Sequence, residues 1–160
     1  MQFLTYFAHP ISLYHDAAGV ERVIVEVLTE QHGFKLVNPS NERYQEAYRL
    51  RREQQPEENP MAYWLELAAT CNNCVFLPFP RLPSEKRART SYQAPISAGV
   101  VKEIGSFRER KRLVYWVDPN IKTPDDVHLR IFTGWSGFKR LTPEETRILL
   151  CAHGCITYSR

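Results

Sequence analysis

The chain has 160 residues, 43% hydrophobic and 24% charged, with seven Gly, eleven Pro and four Cys. This size accommodates one domain that buries roughly two-thirds of its unfolded surface without a disulfide or a metal. It excludes two large domains, and the hydrophobic share excludes wholesale disorder. No window approaches the roughly 18 uninterrupted apolar residues of a membrane span. Met1-Gln2-Phe3-Leu4 lacks the basic and apolar regions of a secretory leader, so a cytoplasmic location is expected. Net charge is only +3, yet fifteen of the 21 basic residues are Arg, whose planar fork suits carboxylate and phosphate. Several fall in two runs, Arg81 to Arg89 and Arg108 to Arg112. They read either as solvated surface or as a mouth that attracts an anion. No nucleic-acid-binding motif accompanies them, so nucleic acid is not an expected partner.

Residues 2 to 8 (QFLTYFA), an apolar run ended by His9-Pro10, predict a buried strand. Apolar residues from Ala17 to His32 recur at helical spacing, with Gly33 as the stop, and Phe34 to Val37 is a second short strand. Strand, helix and strand in under forty residues fit a βαβ unit. Residues 40 to 58 predict a surface helix and then a loop at Gln55-Pro56. Residues 60 to 70 predict another helix, with Pro60 in its first turn. Cys74 to Phe79 is the third strand, made short or placed at an edge by Pro78. Residues 80 to 95 are the longest irregular stretch, of the kind that is usually functional. A helix follows from Ser97 to Arg108, then strands at Leu113 to Val117 and Leu129 to Thr133. Thr142-Pro143-Glu144-Glu145 opens a C-terminal helix that runs to about His153. The alternation predicts a single domain over 1–160, a three-layer α/β sandwich with a flavodoxin-like, mainly parallel, five-stranded sheet.

Such sheets bind ligands beyond the carboxyl ends of their strands, near the switch in strand order. Tyr6 to Ser12, Pro78 to Pro95 and the helix start at Ser97 should converge there. Ser97-x-Gly99 places a hydroxyl and an unobstructed backbone at a helix N-terminus, which favours phosphate. Glu103 follows a little under two turns later, close to the same face. A carboxylate beside a phosphate site makes better sense as a nucleophile or base than as a binding group. The plainer reading is a common turn followed by a surface glutamate.

Tyr6-Phe7-Ala8-His9-Pro10-Ile11 and Ser97-Ala98-Gly99-Val100-Val101-Lys102-Glu103-Ile104-Gly105 together resemble the nucleoside 2-deoxyribosyltransferase superfamily, which includes 2'-deoxynucleoside 5'-monophosphate N-hydrolases. The second segment matches the pattern S-x-G-x-x-x-E-[IL]-G at every fixed position, and the order of elements agrees over roughly residues 1 to 118. The resemblance implies Glu103 as the nucleophile that forms a glycosyl-enzyme ester, Tyr6 beside it and the sugar, and Ser97 and Gly99 at the 5'-phosphate. It implies a nucleoside or nucleotide substrate, no cofactor and a homo-oligomer, dimer or larger. His9 and Ile11 in the first turn, and Arg89 in the basic loop, are further candidates for substrate contact. His9 would donate a proton to the base, bind phosphate, or simply occupy the turn. Such enzymes need a second acid for the leaving base. The family usually has an Asp near the third strand, where this chain has Pro78-Phe79-Pro80. The nearest candidate is Glu66, whose alternative reading is a solvated helix face. The departures leave open a nucleotide-binding module without catalysis.

Cys71-x-x-Cys74 and Cys151-x-x-x-Cys155 with His153 offer soft ligands for a structural zinc and hence a zinc-stapled interaction protein, although packed or idle thiols are the simpler reading. Tyr14, Tyr92, Trp116 and Trp135 are candidate base-stacking platforms, with burial in the core as the simpler role. Tyr92, in the long loop, also suits a lid or subunit contact.

Overall fold

The computed structural model of the chain describes residues 2–82 and 92–154. Its strands are β1 (Leu4–Ala8), β2 (Lys35–Val37), β3 (Asn73–Phe76), β4 (Ala94–Ile96), β5 (Val114–Trp116), β6 (Arg130–Ile131) and β7 (Phe138–Arg140). Its helices are α1 (Val20–Glu26), α2 (Glu42–Gln54), α3 (Ala62–Ala69), α4 (Ala98–Glu109) and α5 (Pro143–Ala152). Five strands form a mixed sheet in the order β2-β1-β3-β5-β6. The first four are mutually parallel and β6 runs antiparallel to β5.

Period-two alternation along the central strands sets the layers. Tyr6 and Ala8 of β1 and Cys74 and Phe76 of β3 pack with Ala68 of α3 and Val100, Ile104 and Phe107 of α4. Phe7, Val75 and Leu77 point the other way, onto Ile24, Val27 and Leu28 of the first helix. The sheet is therefore covered on both faces, which suits its mostly parallel strands. Among the described residues no helix is long and apolar enough to cross a membrane.

The five sheet strands lie where the apolar runs place them, with shorter bounds. The first helix begins at Val20 rather than Ala17. Gly19 adopts φ +73°, and the Asp16 carboxylate accepts from the Val20 and Glu21 amides at 3.1 and 3.0 Å, capping the start. The helix continues as a π-turn from Val27 to Gln31 and ends at Gly33 in the left-handed conformation, with the Phe34 amide donating to Leu28 O. Pro60 precedes α3 rather than lying in its first turn.

One expectation is resolved and one is corrected. β3 is short but central, because Pro78 falls beyond its last paired residue and removes no ladder hydrogen bond. Part of the stretch read as irregular, 94–96, is strand β4, paired in parallel with β7 at 138–140, which alternation had not signalled. The Phe79 amide donates to Pro95 O at 2.8 Å, tying this two-stranded sheet to the end of β3. The basic residues Arg87 and Arg89 lie outside the described residues.

Candidate active site

A cleft opens beyond the carboxyl end of β1, where the strand order turns outward both to β2 and to β3. His9, Pro10, Ile11 and Tyr14 line it from the segment after β1, and Trp64 from α3. Ser97, Gly99, Val100 and Glu103 line it from α4, and Thr146 and Leu150 from α5. Of the three segments expected to converge, those at Tyr6 to Ser12 and at Ser97 do so, together with a helix whose docking no local signal foretold; residues 83–91 of the third lie outside the described residues.

Glu103 is buried, 7% exposed, in the second turn of α4. A carboxylate so placed needs a donor. The Tyr6 hydroxyl supplies it, donating to Glu103 Oε2 from the middle of β1. Burial, and then the Glu103 charge, push the Tyr6 hydroxyl well above its ordinary range, so it keeps its proton and remains a donor. Burial and the same carboxylate also push the Cys74 thiol well up, so Cys74 stays a neutral thiol in the sheet.

Ser97 is the N-cap of α4, its hydroxyl accepting from the Val100 amide at 3.4 Å. The Ala98 amide donates to Thr146 Oγ1 at 2.9 Å. Two of the first-turn donors of α4 are thus occupied by the protein, and Gly99 is the remaining first-turn backbone at the cleft wall.

His9 stands directly behind the cleft, its side chain fully buried. Its Nδ1 faces the Phe7 carbonyl at 3.0 Å and its Nε2 faces Glu21 Oε2 at 2.5 Å, so both ring nitrogens are engaged within the protein. Phe7 stacks on the ring at 4.2 Å and Tyr14 lies against it at 4.7 Å. Glu21 also accepts from the His15 amide at 3.2 Å. Burial raises the Glu21 carboxyl, but the His9 hydrogen bond and charge, with help from Ser40 and His15, outweigh it and hold the group below its ordinary value. The His9 environment is that of a pinned turn residue. Glu21 carried no sequence signal beyond its place in the first helix.

Glu66 does not join the cleft. It is exposed on α3 and bound to Arg51 through two hydrogen bonds of 2.5 and 2.8 Å, while Arg51 also grips Glu58. Its carboxyl is held low by Arg51. Trp64, two residues earlier, is the α3 side chain that reaches the cleft. Trp116 and Trp135 lie elsewhere, in a cluster around β5 and β7. Tyr14 is the one proposed aromatic platform that lines the cleft, and Tyr92 stacks under Arg81 at 3.7 Å.

Cys71 and Cys74 are buried, Cys151 is exposed on α5, and Cys155 lies outside the described residues. Among the described residues no group of three or more His, Cys, Asp or Glu side chains is arranged to hold a metal ion.

The cleft holds only about 20 Å³, room for one water and well short of the range of small-molecule sites. Thr146 and Leu150 narrow it. Leu150 belongs to a small satellite cluster with Phe79 and Leu141, with Ile11 and Leu149 packed against it. Comparison with family models, with curated proteins and with solved structures finds no match for this chain.

Proposed function

We propose that this protein cleaves the N-glycosidic bond of a nucleoside or nucleoside 5'-monophosphate, with Glu103 as nucleophile and water, in preference to a second base, as acceptor. The observation that carries the reading is the buried Tyr6–Glu103 pair at the switch point of the sheet. The motif resemblance puts a nucleophile and its tyrosine at those two positions. The strand order, 2-1-3-4-5 when the sheet strands are counted by themselves, is also the flavodoxin-like order, here with an antiparallel last strand.

In this mechanism a Glu103 carboxylate oxygen attacks the anomeric carbon as the carbon–nitrogen bond breaks, and the departing base takes the bonding electron pair and a proton from a general acid. The resulting glycosyl ester is then hydrolysed: water adds its hydroxyl to the anomeric carbon, its other proton returns to the general acid, and the carboxylate is regenerated. The Tyr6 hydroxyl holds one carboxylate oxygen in place while the other attacks. Gly99, at the start of α4, is the backbone nearest in kind to a 5'-phosphate site. With so little room, substrate entry requires α5 to shift, and the buried cluster that anchors it among the described residues is small. The reading also carries a cytoplasmic location and a homo-oligomer in which a partner subunit supplies the acid that the cleft lacks.

That lack supports a second reading, a nucleotide-binding module without catalysis. Glu103 is the only carboxylate among the described residues lining the cleft, and His9 is already engaged at both nitrogens. One experiment separates the two. The protein is incubated with a panel of nucleosides and nucleoside 5'-monophosphates, and free base is followed by chromatography beside Glu103→Gln. Base release that the substitution abolishes supports the enzyme. Nucleotide binding with no base release supports the module, and release at an unchanged rate in the variant removes Glu103 from the mechanism.

A further inference from the structure

Away from the cleft, Phe76, Trp116, Phe132, Trp135 and Phe138 form one connected aromatic cluster around β5, β6 and β7. Ring centroids are 5.0 Å apart between Trp116 and Phe138, 5.5 Å between Phe138 and Phe132, and 5.1 Å between Phe132 and Trp135. Three exposed arginines crown it. Arg130 lies over Trp116 at 5.3 Å, Arg108 over Phe132 at 5.3 Å and Arg140 over Trp135 at 5.0 Å. Half of the six arginine–ring contacts among the described residues fall on this one cluster.

None of the three guanidinium groups makes an ion pair with a carboxylate among the described residues. Asp118 and Asp126 share a surface hollow with Arg130 without pairing to it. The arginines come from three different elements, α4, β6 and β7, and each guanidinium lies within 5.3 Å of a ring centroid. Among the described residues their charge is therefore not spent on a carboxylate. Trp116 and Trp135 remain partly exposed beside them.

From this juxtaposition we infer that the β5–β6–β7 surface binds single-stranded nucleic acid, the arginines contacting phosphates and their planes and the two tryptophans stacking bases. Charge alone would attract any polyanion; unstacked bases are what the aromatic and guanidinium planes select. An anionic membrane surface would use the cations but carries no planar group to stack on the two tryptophans beside them. The inference does not rest on the glycosidic activity, and it revises the expectation drawn from the absence of a linear motif.

The test is fluorescence anisotropy with a labelled oligothymidylate of about 15 nucleotides at about 50 mM salt. Binding is expected, with quenching of tryptophan emission, since Trp116 and Trp135 are two of three tryptophans and the third, Trp64, is 1% exposed. The double variant Arg130→Gln/Arg140→Gln should bind at least tenfold more weakly, with the slope of log K against log salt reduced by about 2. Arg108→Gln, on a different element, should lower that slope by about 1. Circular dichroism of each variant confirms its fold. The inference is overturned by no binding at low salt, by a duplex of equal length binding as tightly, by variants within twofold of wild type, or by capture on phosphatidylserine vesicles without oligonucleotide binding.

Discussion

Tyr6 and Glu103 meet from positions 97 residues apart, and the contact gives each a reason for its neighbour. The carboxylate needs a donor in the core, and the phenol needs an acceptor. Replacing Tyr6 by Phe removes one charge-assisted hydrogen bond, worth about 1.5–3 kcal/mol. Base release should slow by roughly tenfold to a hundredfold, measured by chromatography on protein shown to be folded by circular dichroism. Because the Tyr6 hydroxyl is raised in the folded state, its contribution to stability is whole below about pH 10 and is lost as pH rises through the higher folded value. Glu21 behaves in the opposite sense. Its lowered carboxyl stabilises the fold above about pH 4.5, and that contribution is lost as pH falls. Glu21→Gln should therefore cost about 1–3 kcal/mol in urea unfolding at neutral pH and flatten the acid limb of stability against pH. A melting curve as steep in acid as that of wild type would show that the His9–Glu21 pair does not set that limb.

At the scale of elements, α5 is tied to α4 by the Ala98–Thr146 hydrogen bond, and a small apolar cluster packs it on Ile11, Phe79 and Leu141. Ser97→Ala deletes the α4 cap and should lower stability by about 1 kcal/mol. If Ser97 also touches the 5'-phosphate, the Michaelis constant for monophosphates should rise much more than that for nucleosides. Equal changes on both would confine Ser97 to the cap. Leu150→Ala widens the cleft at the α5 wall. It should cost about 2–5 kcal/mol of stability while lowering the Michaelis constant, as expected if α5 must shift for substrate. The start of α4 was legible in Ser97-x-Gly99, though not that Ser97 caps it, and so was the α5 start, because Thr142 and Glu145 form a capping box and Pro143 is tolerated in the first turn. The docking of α5 against α4 was not legible, because Thr146 and Leu150 look like ordinary positions on an amphipathic helix until their partners are known.

For the whole molecule, the sheet has two distinct cores, and β3 contributes to both. Phe76 is fully buried, and Phe132 and Phe138 rest on it from the outer strands at 5.2 and 5.7 Å. Phe76→Ala should destabilise by about 3–5 kcal/mol in a single urea transition, since both the sheet and the arginine-crowned cluster lose their support. Two separate transitions would instead show that the outer strands unfold on their own.

By itself, the sequence determined what depends on near neighbours: five sheet strands from apolar runs, helix starts and stops from caps and glycines, and the single motif that singled out Glu103. Those signals survive because hydrogen-bond periodicity and capping act over a few residues. Only the tertiary structure decided which distant groups share a space. It brought Tyr6 to Glu103, tied Glu66 to Arg51 on the surface, locked His9 to Glu21, and turned β6 antiparallel. It also gathered Arg108, Arg130 and Arg140 over one aromatic cluster, whereas the sequence had drawn the eye to consecutive basic runs. Each of these rests on long-range burial, in which a charge or ring takes the partner that the fold places beside it, and no local spacing encodes that choice.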